Sequence, residues 1–234
     1  MSFLEKIRSG TERVAAVPAR DARPAGADEG NRRSSNALKE FMWLLGDIKQ
    51  AQVLDLGAIS QHTVNFFIER EFKLYSEDLL RAWKQFLAEE EARLRAANAP
   101  VAATEEDIEY GRSALAERFL AANLAYPEHT FNAILVWDLL DYLEEEMLAR
   151  LVKQLYAMLR PKGVVLGLFH SKKPAAFHRY RIVAADTIEL VPSPPILPIL
   201  RQFQNRDMMN LFSVFRSSKT FIGRDQLREG LFLK

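Results

Sequence analysis

Along most of this chain, short charge-free runs alternate with amphipathic stretches. Leu38, Phe41, Met42 and Leu45 recur at helical spacing after Ser34 and Ser35, either of which can cap the helix, and Gly46 supplies its stop. Val53, Leu54 and Leu56 then form a compact apolar run ending at Gly57, the pattern of a buried parallel strand handing over to a turn. Ser60 can open a second helix carrying Val64, Phe67 and Ile68. Phe72 to Tyr75 reads as a second strand, followed by Ser76, Glu77 and Asp78. Leu79, Trp83, Phe86 and Leu94 define a long helix whose acidic run, Glu89 to Glu91, belongs to its solvated side.

An Ala/Pro-rich break spans Ala96 to Thr104, and Glu105 to Leu115 is helical, with Thr104 as cap and Asp107 in the first turn. Phe119 to Ala122 gives a weak third-strand signal, whereas Phe131 to Trp137 is the strongest strand in the sequence. Met147, Leu148, Leu151, Val152, Leu155, Met158 and Leu159 form a wide helical face with Glu144 to Glu146 at its positive end. A turn at Arg160 to Gly163 leads to a strand at Val164 to Phe169. Beyond His170 the pattern predicts a strand at Ile182 to Val191, a proline loop at Pro192 to Pro198, a helix at Arg201 to Phe212 and a last strand at Val214 to Ile222. This alternation predicts an α/β fold: a Rossmann-like, doubly wound, mostly parallel sheet with an antiparallel C-terminal strand addition.

Composition narrows the classes. The 234 residues are 48% hydrophobic, enough for one sizeable core, and we expect a single domain over residues 34–234. Met1 to about Arg33 holds two prolines, few large apolar residues after Ile7 and the arginines Arg8, Arg13, Arg20, Arg23, Arg32 and Arg33, the composition of a solvated tail. A net charge of +1 gives no global field to attract nucleic acid. Arg216, Lys219, Arg224 and Arg228, with Phe215 and Phe221 between them, read as an ordinary charged surface rather than a nucleic-acid groove. Without cysteine there is no disulfide framework or thiolate metal site. No apolar run approaches the roughly 20 residues needed to span a bilayer. These features lead us to expect a cytoplasmic chain with no metal and no membrane partner.

Candidate chemistry gathers where strands end. A strand, a glycine turn and a helix N-terminus, as at Ala51 to Gln61, can hold a nucleotide-like ligand against backbone N–H groups. Acids after a second strand can accept hydrogen bonds from ribose hydroxyls, which fits Glu77 or Asp78; either can equally cap the helix that follows. Asp55 can orient a ligand or bond the N–H groups of its own turn. Trp137 suits ligand stacking or packing, and Asp138 and Asp141, beside Tyr142, suit acid/base work or the first turn of a helix. His62, His129, His170 and His178 lack metal spacing, and His170, at the end of a core strand, is the best acid/base candidate among them.

From about Asn36 onward the chain resembles the class I S-adenosylmethionine-dependent methyltransferases. The resemblance rests on Val-Leu-Asp-Leu-Gly at 53–57, the acids after the second strand, Leu-Ala-Tyr-Pro-Glu-His-Thr-Phe at 124–131 running into Asn132-Ala-Ile-Leu, and Leu159-Arg-Pro-Lys-Gly before the fifth strand. It implies that S-adenosylmethionine is the cofactor, with Asp55, Gly57 and Ala58 beside its methionine and ribose part, Glu77 or Asp78 on the ribose hydroxyls, and Trp137 and Asp138 at the mouth. The implied reaction is in-line methyl transfer to an acceptor, helped chiefly by proximity. The sequence departs from the family where Ile59 and Gln61 replace two turn glycines and where Leu120 to Asn123 offers no adenine-side acid. Ile59 is expected to redirect the loop or narrow the site.

The alternative is a catalytically inactive module of the same fold, its pocket filled by Ile59, Gln61 or the Trp137 region; a nucleotide-dependent oxidoreductase ranks third. The acceptor has no motif, its selection falling to the N-terminal helix, Leu79 to Leu115 and the proline loop. Phe203, Met208, Met209, Leu211 and Phe212 are either core or an apolar contact face, which leaves the oligomeric state open.

Overall fold

The computed structural model describes residues 31–96, 105–223 and 227–234, the side chains of 105–110 excepted. The sequence features at residues 1–30, the break at 97–104 with its cap Thr104, the Asp107 side chain and Arg224 lie outside the described residues. In chain order the elements are β1 (Arg32–Ser34), α1 (Asn36–Leu45), β2 (Gln52–Asp55), α2 (Gln61–Ile68), β3 (Lys73–Ser76), α3 (Leu79–Ala96) and α4 (Glu105–Asn123). There follow β4 (Phe131–Trp137), a 3-10 turn (Leu139–Tyr142), α5 (Glu145–Met158) and β5 (Leu159–His170). The last elements are β6 (His178–Ala184), β7 (Thr187–Pro192), α6 (Asn205–Leu211), β8 (Ser217–Ile222) and β9 (Leu227–Leu233).

Six strands form one sheet in the order β3-β2-β4-β5-β9-β8. Strands β3, β2, β4 and β5 are parallel, while β9 runs antiparallel to both β5 and β8. The fold is therefore the expected Rossmann-like, doubly wound α/β sheet with an antiparallel addition at its C-terminal end. Alternate strand residues feed two cores: Leu54, Ile134 and Val165 pack with α3, α4 and α5, while Val53, Ala133, Leu135 and Leu166 pack with α1 and α2. Because both faces are covered, β4 is buried at every position. Its one polar residue, Asn132, accepts the Gln52 N–H at 2.9 Å.

Ser35, rather than Ser34, caps α1, its hydroxyl accepting the Leu38 N–H at 3.0 Å. The region expected as a third strand, Phe119 to Ala122, is instead the last turn of α4. Its alanines favour helix, and Phe119 packs against Trp83 with ring centroids 4.8 Å apart. Ile182 to Val191 divides at Ala185 and Asp186 into the hairpin β6/β7, which β1 extends into a separate three-stranded sheet. The turn expected at Arg160 to Gly163 is absorbed into β5, with Lys162 at φ 65°. The expected helix from Arg201 shortens to α6, where Asp207 accepts the Gln204 N–H at 2.8 Å. Phe203, Met208 and Phe212 are core, whereas Met209 is exposed.

Strand β9 has no counterpart in the sequence pattern because Arg228, Glu229 and Gly230 interrupt its apolar run. Glu229 is nonetheless buried, accepting hydrogen bonds from Arg33 Nη2 at 2.7 Å and from the Ala37 N–H at 2.9 Å. Composition places Arg32 and Arg33 in the tail; in the structure they form β1, tied to the body by that buried acid and by Glu189, which also pairs with Arg181.

Candidate functional site

Parallel strands ending side by side leave a crevice beyond their carboxyl ends. Here Gly57 and Ala58 after β2, Asp78 after β3, and Trp137 and Asp138 at and after the end of β4 line one cavity. Tyr142, Tyr180 and the segment Ser193 to Ile196 close it, leaving about 60 Å³. Pockets that take drug-sized ligands run to roughly 300–1,000 Å³. The crevice is therefore built in the expected place but is nearly full.

Its filling is the Trp137 side chain. Strand β4 carries an irregularity between Leu135 and Trp137, and Trp137 itself adopts φ 53°, a region few non-glycine residues occupy. The indole is buried, stacks on Tyr180 at 5.7 Å with the rings 8° from parallel, and donates Nε1–H to Asp55 Oδ1 at 2.6 Å. It lies so close to Gly57 that a Cβ there would come within 2.4 Å of its Cδ1. Gly57 is thus demanded by space.

Asp55 sits behind the crevice, 3% exposed, and the same oxygen also accepts the Gly57 N–H at 2.9 Å. Of the two roles weighed for Asp55, the bond to its own turn is present, and the same oxygen also holds the indole. Burial raises its carboxyl to about 6, opposed by the Gly57 and Trp137 hydrogen bonds.

Of the two acids after β3, Asp78 reaches the cavity and also accepts the Arg81 N–H at 3.2 Å, capping α3. Glu77, the other candidate for the ribose, does not line it; its Oε1 accepts the Tyr126 hydroxyl at 2.6 Å. Ile59 is 67% exposed and Gln61 is exposed, bonding Asn65 along α2 at 2.7 Å. Neither lines the cavity, and Ile59 has no positive φ. Of the three fillings named for the pocket, only the Trp137 region lies at the cavity.

Beside the indole is an acid cluster. Asp138 Oδ2 accepts the hydroxyls of Tyr142 and Tyr180, each at 3.3 Å. Burial, reinforced by the charge of Asp141, lifts Asp138 to about 7, against a downward pull from His170. Asp141 is wholly buried, and its Oδ2 receives both His170 Nδ1, at 2.6 Å, and the His170 N–H, at 2.9 Å. Burial raises its pKa too, opposed by His170, while its Oδ1 has no partner among the described residues. His170 is therefore oriented by a buried carboxylate, but it is not among the residues lining the cavity. Among the described residues, no group of three or more His, Cys, Asp or Glu is placed to hold a metal ion.

Three participants escape sequence reasoning or emerge with a new role. Tyr180 carries no motif; its only signal is inward alternation with Ile182 along β6. Tyr126 lies within the 124–131 match, yet its bond to Glu77 depends on α4 folding as helix. The Asp141–His170 pair links two separately noted residues only once β5 lies beside β4.

No protein-family model and no curated protein matches the chain. Among solved structures, similarity is found to a SAM-dependent methyltransferase from Archaeoglobus fulgidus (10% identity, TM-score 0.46, covering 84% of this chain and 93% of that one). It is found also to the Burkholderia thailandensis 1,6-didemethyltoxoflavin-N1-methyltransferase with bound 1,6-didemethyltoxoflavin and S-adenosylhomocysteine (16%, 0.43, 85% and 76%). A third is the [4+2]-cyclase SpnF (9%, 0.43, 84% and 78%). At these values the likenesses carry no functional weight. Strand order and direction show a Rossmann-like, mostly parallel sheet with an antiparallel pair at one edge.

Proposed function

We propose that this crevice is an S-adenosylmethionine site and that the chain is a methyltransferase-like protein acting on an acceptor yet to be identified. One observation carries the reading: the ends of β2, β3 and β4, picked out separately in the sequence, converge on a single cavity with a buried carboxylate, Asp55, behind it. In this role Asp55 would receive the cofactor's ammonium group, Asp78, one of the two acids the sequence offers, would take the ribose hydroxyls, and Asp138 would serve as proton acceptor beside the transferred methyl. A carboxyl near 7 is suited to that exchange at neutral pH. The cofactor supplies the electrophilic methyl group. The protein's part is to hold the acceptor in line and exclude water.

A second reading, a non-catalytic module of the same fold, is favoured by the small cavity and the indole lying on Gly57. Calorimetric titration of the full chain with S-adenosylmethionine and S-adenosylhomocysteine separates the two. Saturable binding near one equivalent supports the first, and absence of heat and of thermal shift at millimolar ligand supports the second.

A further inference from the structure

We infer that Trp137 is a latch on this crevice: its indole takes the hydrogen bond and the backbone surface that a bound cofactor would use, and the site opens when the ring leaves. The inference rests on the S-adenosylmethionine reading of the site.

Three observations converge on it. The indole N–H satisfies the buried Asp55 carboxylate at 2.6 Å, a role that any other N–H donor entering the crevice could take over. The ring fills the space above Gly57, where even one added carbon would clash, so ring and ligand cannot share that surface. Trp137 also holds a left-handed backbone conformation, φ 53°, which persists only where surrounding contacts enforce it and which collects at functional positions. Its one side-chain hydrogen bond and its stack on Tyr180 face the crevice, so a ligand that supplies both can replace the ring there.

The surroundings allow the movement. The segment closing the crevice is tied at its ends, through the Ser193 N–H to Phe177 O at 3.0 Å and the Leu200 N–H to Asp141 O at 2.9 Å. Between them Pro194, Pro195 and Pro198 have no N–H with which to fasten it. The inner wall, by contrast, is held by β4 and β2, which are central strands of the sheet. Opening must therefore come from the indole and the proline segment.

The test measures S-adenosylhomocysteine affinity by calorimetry on the full-length wild type, on Trp137→Gly and on Trp137→Phe, each checked for native circular dichroism and cooperative melting. Glycine accepts the positive φ without strain and clears the crevice. Phenylalanine keeps most of the packing and loses only the N–H donor, so it reports if the glycine variant does not fold. The latch predicts binding tenfold or more tighter in Trp137→Gly and several-fold tighter in Trp137→Phe. Binding by the glycine variant alone also supports it, as a latch that the ligand cannot lift. Equal or weaker binding by both folded variants, with a wild type that binds, overturns the latch and leaves the cofactor reading standing. No binding by any of the three overturns both.

Discussion

The indole N–H of Trp137 and the carboxylate of Asp55, 82 residues apart in the chain, meet at 2.6 Å where β2 and β4 end. The contact locks the first strand's turn to the end of the most buried strand, and Gly57 lies beneath it. One oxygen of Asp55 accepts both a backbone and an indole N–H, which favour its charged form while burial opposes it.

Gly57→Ala tests how tightly that contact is packed. The new methyl group would land 2.4 Å from Trp137 Cδ1, so the ring or the turn must give way. We expect a loss of about 1–3 kcal/mol in urea unfolding, as for other overpacked cores. Tryptophan emission should shift to the red as the indole gains water, and because Trp43 is 76% exposed the measurement is best made in a Trp43→Phe background. Unchanged emission and stability would show that the crevice has slack.

Asp138 gives a pH signature with a defined sign. Its folded pKa, about 7, lies above the ordinary 3.8, so between roughly pH 4 and 7 the folded protein keeps a proton that the unfolded chain has released. Stability contributed by this group is present at low pH and lost as pH rises through that window. Asp141, His170, Tyr142 and Tyr180 all face the carboxyl: the charge of Asp141 raises its pKa, while His170 and the Tyr142 hydroxyl pull it down. Asp138→Asn should gain on the wild type between pH 4 and 8, by an amount on the order of 3–4 kcal/mol at most, at roughly 1.4 kcal/mol per pKa unit. Thermal melts at paired pH values would show it, and a constant difference across the range would contradict the assignment.

Glu229→Ala removes a buried carboxylate that receives Arg33 and the Ala37 N–H. Losing one partner from such a network typically costs about 3–5 kcal/mol. The loss should be accompanied by faster hydrogen exchange at Arg33 and Ser34 in β1. A change confined to a few tenths of a kcal/mol would mean that β1 is held chiefly by its pairing with β7.

The parallel core was legible in the sequence because charge-free runs such as Phe131 to Trp137 and glycine stops such as Gly57 report local burial. What stayed hidden depended on partners distant in the chain. Glu229 makes β9 look polar until Arg33 is brought beside it, and Phe119 reads as strand until Trp83 gives it a helical packing face. The candidate residues Asp55, Gly57, Ala58, Asp78, Trp137 and Asp138 stand at strand ends, which period and punctuation reveal. Which of the two acids faces the crevice was not legible, because adjacent residues at a strand end leave in different directions, and only Tyr126 shows that Glu77 turns away. Ile59, Gln61 and the Trp137 region were all open as obstructions; the loop turns Ile59 to solvent, and the ring in the crevice comes from the neighbouring strand.

Ile59→Gly follows from that correction. Restoring a glycine should leave S-adenosylhomocysteine affinity within about twofold of wild type, because Ile59 does not line the cavity. It should lower stability by no more than about 1 kcal/mol through added freedom in the unfolded chain. A large gain in affinity on calorimetric titration would return the obstruction to the loop.

The most direct measurement is fluorine NMR of the full-length protein labelled with 5-fluorotryptophan, titrated with S-adenosylhomocysteine. Trp43, Trp83 and Trp137 supply three resonances, assigned by single substitution. A cofactor site closed by Trp137 predicts that the Trp137 resonance moves and saturates with ligand while those of exposed Trp43 and core Trp83 hold their positions. A Trp137 resonance unmoved at millimolar ligand would contradict it.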